Sequence, residues 1–126
     1  MTMLLHEKLS EKIIGCCIEV HRELGPGLLE GIHEAALGEE LRMAGIAYHR
    51  QLPLPVVYKG IELGMDYRID VMVENEIVLE LKSVEKSLPL HEAQLLTYLK
   101  LSRRKLGFLL NFNVPLMKDG ITRRVM

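Results

Sequence analysis

Cysteine is almost missing. The chain has two, Cys16 and Cys17, and as neighbours their α-carbons lie only about 3.8 Å apart, below the usual span of a disulfide. With no further Cys or His at ligand spacing they also make a poor zinc site, so they read as reduced core residues of a cytoplasmic protein. Charge of one sign is missing too: 16 basic residues against 17 acidic give a net charge of −1, which does not announce a polyanion binder, although a local patch or a bound metal would supply the positive field. The start, "MTMLLHEKLSEK", becomes charged before a signal-peptide apolar stretch develops. The longest uncharged run, "LGFLLNFNVPLM", is broken by Asn and Pro and falls short of the roughly 20 residues of a membrane span. No membrane partner is expected.

What is present is apolar: 48% of 126 residues are hydrophobic, enough for one domain with its own core and no staples. That content is higher than so small a chain needs, which makes a homo-oligomer a candidate state. From Glu7 to Leu24 the apolar positions Ile14, Cys17, Ile18 and Leu24 recur at helical spacing, and "LGPG" ends the run. A second helical period covers residues 28–44, with Leu29, Ile32, Ala36 and Leu37, and stops at Gly45. The stretch from Ile46 to Val84 is then rich in Val, Ile and Tyr, with turn candidates at Lys59-Gly60 and Glu74-Asn75, and predicts antiparallel strands. Pro53 and Pro55 push "QLPLP" to an edge or a loop. Ser87 is a plausible N-cap, with Pro89 in the first turn, for a third helix through "LHEAQLLTYLKLS". "LGFLLNFNV" and "GITRRVM" supply closing strands. The expected order is α-α-β-β-β-β-α-β-β, with three or four strands in the central run. That is a mixed α/β (α+β) fold in which the helical crossover makes "IVLELKSV" and "KLGFLLNF" parallel.

Strand parity picks out a chemical face. Glu80 and Lys82 point the same way and Leu79 and Leu81 the other, while Asp70 in "YRIDVMV" opposes Ile69, Val71 and Val73. With the aliphatic faces in one core, Asp70, Glu80 and Lys82 meet on one side of the sheet. On the third helix Gln94 and Tyr98 stack at i, i+4, with His91 one turn earlier; on the second, Glu30 and Glu34 stack with His33 beside them. Two close carboxylates beside a lysine call for a hard cation such as magnesium, which takes oxygen ligands and joins protein carboxylates to substrate phosphate. The lysine would orient or help deprotonate a water and offset charge on a five-coordinate phosphorus, while Gln94 and Tyr98 offer an amide and a hydroxyl to substrate. Each feature has an ordinary counterpart. Glu80 and Lys82 fit a solvated strand face with a surface ion pair, Gln94 and Tyr98 fit helix surface, and Arg103, Arg104 and Lys105 fit the helix dipole.

In order, "RID" at 68–70, nine residues, "ELK" at 80–82, then "HEAQLLTYLK" and "GFLLNF" resemble the PD-(D/E)XK nuclease superfamily, in its RecB-like form with Gln-x-x-x-Tyr on the following helix. "GPGLLEGIHEAAL" ahead of that core is similar to the small bacterial proteins of the GxxExxY family. The likeness runs from about Ile14 to Val125. It implies a restriction-endonuclease-like core, a central mixed sheet flanked by helices. It further implies Asp70 and Glu80 as ligands of Mg2+ or Mn2+, Lys82 as the catalytic lysine, and Glu30 as an auxiliary acid. Gln94 and Tyr98 would support the site or touch substrate, with His33 and His91 nearby. His33 stands where the family motif has Tyr, and Ile69 where the superfamily has Pro. The implied activity is metal-dependent hydrolysis of phosphodiester bonds, with a nucleic acid, DNA first, as partner. The alternative from another class is a catalytically silent nucleic-acid-binding or protein-interaction module on the same fold, which the near-neutral charge and the 5% aromatic content suit.

Overall fold

The computed structural model describes residues 5–126. Helix α1, Glu7–Leu24, buries Ile13, Cys17 and Val20 along one stripe at i, i+4 and i+7. It ends where Gly25 takes φ 69°, a value that costs glycine nothing. Helix α2, Glu30–Met43, follows and buries Leu37 and Leu41. Strands β1, Tyr48–Tyr58, and β2, Ile61–Val73, form a long hairpin. Its Lys59-Gly60 turn has positive φ at both positions, the geometry that matches strand twist. A second turn with positive φ at Glu74 and Asn75 leads into β3, Ile77–Lys82. Helix α3, Pro89–Ser102, crosses to β4, Leu106–Asn111, and a short 3-10 turn precedes β5, Ile121–Val125.

The sheet order is β1-β2-β3-β4-β5. Only β3 and β4 pair in parallel, joined by the α3 crossover as expected, and every other neighbour is antiparallel. The mixed α/β architecture with a helix-flanked mixed sheet is the expected restriction-endonuclease-like one. Its central run has three strands, not the four of the expected order. "QLPLP" does not interrupt β1 but lies inside it, because β1 is an edge strand whose outer row of amides has no partner and so tolerates proline. The expected Ser87 cap is also displaced. Leu88, extended at φ −101° and ψ 154° as a residue before proline prefers, is the boundary residue, and its N–H donates to His91 Nδ1 at 3.1 Å.

Two cores sandwich the sheet. On one face Ile13, Cys17 and Val20 of α1 and Leu37 and Leu41 of α2 meet Val71, Val73, Leu79, Leu81, Phe108 and Leu110. On the other, Leu95 and Leu99 of α3 meet Leu54, Ile69, Met72, Val78 and Leu109. Ile69 is a departure from the expected parity, since it joins Met72 under α3 while Val71 and Val73 face the other helices. Alternation breaks at Asp70. Gly107 sets how closely α3 approaches: a Cβ there would lie 2.8 Å from Leu95 Cδ1 and 3.2 Å from the Val78 carbonyl oxygen. Gly107→Ala is expected to cost about 1–3 kcal/mol by overpacking, read as a lower urea midpoint with unchanged slope. An unchanged midpoint would mean that α3 shifts freely over the sheet.

No helix among the described residues is long and apolar enough to cross a membrane.

Candidate active site

β2 and β3 pair backbone to backbone only from Val71↔Leu79 to Val73↔Ile77. One residue further, at Asp70 and Glu80, side chains replace the ladder. Asp70 N–H donates to Glu80 Oε1 at 3.2 Å, and Leu81 N–H donates to Asp70 Oδ2 at 2.8 Å. Each carboxylate thus satisfies a backbone donor that the diverging strands would otherwise leave unpaired. One oxygen of each acid, Asp70 Oδ1 and Glu80 Oε2, is not used in this way.

The electrostatics follow from this packing. Glu80 is only 5% exposed. Burial first, then the neighbouring Asp70 charge, push its carboxyl up to about 9, while the Asp70 N–H and the Lys82 ammonium pull the other way. Without a cation Glu80 therefore keeps its proton at neutral pH. Lys82, half-buried two residues along β3, shares the α3 side of the sheet with Glu80. On α3, Tyr98 is half-buried; burial first, then the charges of Glu80 and Asp70, raise its hydroxyl pKa, so it stays a donor.

A chain of contacts reaches Asp70 from the opposite side. β1 pairs Arg50↔Val71 and Leu52↔Ile69, which leaves Gln51 opposite Asp70 with its backbone at φ 54°. This left-handed residue accompanies the break in alternation. Gln51 Nε2 donates to Glu34 Oε1 of α2 at 2.8 Å and lies 3.5 Å from Asp70 Oδ1. Glu34, 8% exposed, is also held by Arg50 through Nε at 3.0 Å and Nη2 at 2.9 Å.

The structure therefore brings Asp70, Glu80, Lys82 and Tyr98 together. Gln94 is exposed on α3 one turn before Tyr98, in a cleft that also contains Tyr67. Glu30 is exposed in the first turn of α2 and makes no hydrogen bond or ion pair among the described residues. The segment just before it is tied to the end of β3, where Ser83 Oγ donates to the Leu28 carbonyl at 2.7 Å. His33 is fully buried, stacked on Phe112 at 4.6 Å with Nε2 3.0 Å from the Gly25 carbonyl oxygen. His91 holds the start of α3. Sequence reading did not single out Gln51, Arg50 or Tyr67. Of these only Tyr67 carries a signal, an aromatic residue three positions before Asp70 on a strand with little else to bury it.

Among the described residues no three His, Cys, Asp or Glu side chains cluster as a metal site. A hard cation does not need three: magnesium commonly takes one or two protein carboxylates and completes its shell with water and substrate phosphate. Asp70 and Glu80 offer carboxylate oxygens of the kind such an ion takes, with the Gln51 amide 3.5 Å from Asp70 Oδ1.

A family model described as the PD-(D/E)XK nuclease superfamily matches residues 7–124. The chain belongs to the PD-(D/E)XK nuclease superfamily. The nucleases of this superfamily generally use divalent metals. No curated protein and no solved structure matched the chain.

Proposed function

We propose that this PD-(D/E)XK protein is a metal-dependent nuclease that hydrolyses phosphodiester bonds of DNA, with Asp70 and Glu80 holding Mg2+ or Mn2+. The observation that carries the reading is the opened β2–β3 ladder, where two carboxylates face each other beside Lys82 and one oxygen of each is uncommitted to the backbone. A bound divalent ion would supply charge to neutralise the scissile phosphate and lower the pKa of a water. The chain's own residues do the rest. Glu80 releases its proton when the site is loaded. Lys82 orients the attacking water and offsets the negative charge that gathers as the new P–O bond forms and the ester P–O bond breaks. Tyr98 donates its hydroxyl to a phosphate oxygen, and Gln94 steadies the strand from the turn before. Glu30, on the helix whose entry is tied to the end of β3, serves as the auxiliary acid. His33 and His91 support the site indirectly, one by locking the entry to α2 and the other the start of α3.

Within the superfamily we place the chain with the GxxExxY proteins, on Gly27 and Glu30 with His33 in place of Tyr. The stacking of His33 on Phe112 supports this, because a ring is what that position packs. The buried, unpaired Cys16 and Cys17 support a cytoplasmic location. Val57, Ile61, Leu63 and Met65, each at least half exposed on the hairpin, support a homo-oligomer.

Purified protein should cut single- or double-stranded DNA only when Mg2+ or Mn2+ is added. Cleavage that persists in EDTA would remove the proposed metal role. No cleavage across DNA and RNA substrates would assign the fold to a silent binding module.

A further inference from the structure

Beside the carboxylates, α3 and the hairpin enclose a cleft of about 250 Å³ lined by Tyr67, Leu90, Ala93, Gln94, Thr97 and Tyr98. None of these six side chains carries a charge. A surface meant for backbone phosphate would place Lys or Arg there; this one instead offers two aromatic rings, aliphatic walls and an amide. Tyr67 is 44% exposed, and its ring meets that of Tyr98 at 5.2 Å with a tilt of 51°, which fixes its direction without covering it. Leu90, at the mouth, is 62% exposed. The Gln94 amide makes no hydrogen bond to another described residue, so both its donors and its acceptor are available to a ligand. Tyr98 lines the cleft, and its hydroxyl pKa is raised by burial and then by the charges of Glu80 and Asp70, so the carboxylates are near neighbours of the cleft.

We propose that this cleft takes an unpaired nucleobase of the substrate strand, stacked on Tyr67 with an edge hydrogen-bonded by Gln94, so that the substrate is single-stranded or frayed at the cut. The inference rests on the nuclease reading for where the adjoining phosphate lies. The base identity itself rests on the neutral, aromatic lining. In an intact duplex the base is stacked between its neighbours and paired, and the cleft cannot reach it. A base that is already free pays none of the cost of extrusion.

The test is fluorescence anisotropy in EDTA, where no cutting occurs, with an oligothymidylate of about 12 nucleotides and a blunt duplex of equal length. The wild-type protein should bind the single strand at least about fivefold more tightly than the duplex. Tyr67→Ala should lose at least about fivefold of that affinity, the scale of one base–aromatic stack, while Tyr67→Phe keeps it. Leu90→Asp, on an exposed position that folding does not depend on, should weaken the single strand in the same way. Thermal melts would confirm that each variant is folded. The proposal is overturned if Tyr67→Ala and Leu90→Asp both bind the single strand as wild type does, if duplex is bound as tightly as single strand, or if neither is bound. Failure of the nuclease reading has a different signature: wild-type protein that binds the single strand through Tyr67 but does not cut it when Mn2+ is added. Cutting of duplex and single strand alike, with Tyr67→Ala unimpaired, would leave the nuclease and remove the base cleft.

Discussion

Asp70→Ala is expected to reduce Mn2+-dependent cleavage by at least about 10³-fold, the loss anticipated when a metal-binding carboxylate disappears from a hydrolytic site. Lys82→Ala should cost about 10²–10³-fold, comparable to removing one preorganised electrostatic group. The fold should survive both changes. Asp70→Ala removes the acceptor for Leu81 N–H, at a cost on the order of 1 kcal/mol. Lys82 is half-buried and has no ion pair within 4.0 Å among the described residues. Circular dichroism together with initial cleavage rates separates the outcomes. Retained activity in either variant would move the chemistry away from the β2–β3 fork, and loss of activity together with loss of fold would mean that these residues serve architecture.

The second large effect concerns pH. Glu80 is raised from an ordinary 4.5 to about 9 in the folded chain by burial and by Asp70. In the unfolded chain it ionises near its ordinary value, so between these limits the folded state holds one more proton than the unfolded state. Stability from this group is therefore fully present below 4.5 and is lost as pH rises to about 9. Each unit of difference is worth about 1.4 kcal/mol, so the metal-free protein should weaken by a few kcal/mol across that window. Glu80→Gln keeps the shape and the acceptor for Asp70 N–H without a titrating proton. It should be more stable than wild type at pH 8 by roughly 2–4 kcal/mol and about equal to it at pH 4. Urea melts in EDTA at the two pH values measure this directly. Parallel profiles for the two proteins would mean that Glu80 is ionised in the metal-free fold.

Of the residues behind these two effects, Asp70 sits where the alternation breaks, while the other two follow strand parity. Glu80 and Lys82 were legible because β3 is regular and alternation holds along it. The third helix followed from its period, and the parallel β3–β4 pair followed from the crossover. Legibility stopped where backbone geometry departs from the regular period. Ile69 packs under α3 because the strand turns over at Asp70, opposite the left-handed Gln51, and nothing in "HRQLP" announces a positive φ at glutamine. The same local irregularity hid the Glu34–Gln51–Asp70 contacts. Sequence placed Glu30 and Glu34 on one helical face but could not aim them; in the fold Glu34 is the one buried against β1, while Glu30 stays exposed at the helix entry. Pro53 and Pro55 pointed to an edge or a loop, and the structure takes the edge: both lie inside β1 at the margin of the sheet. Ser87 looked like the cap of α3, but proline at the first helical position drew the boundary to Leu88 and gave the capping role to His91.

Whether Asp70 and Glu80 form one cation site is decided by calorimetric titration of Mn2+ into the protein at pH 7 in buffers of different ionisation enthalpy. About one ion should bind per chain with about one proton released, because Glu80 must give up the proton it holds in the metal-free fold. Affinity should also climb with pH toward 9, and binding should be lost in both Asp70→Asn and Glu80→Gln. Binding to wild type without proton release, or binding that persists in either variant, would contradict a shared site.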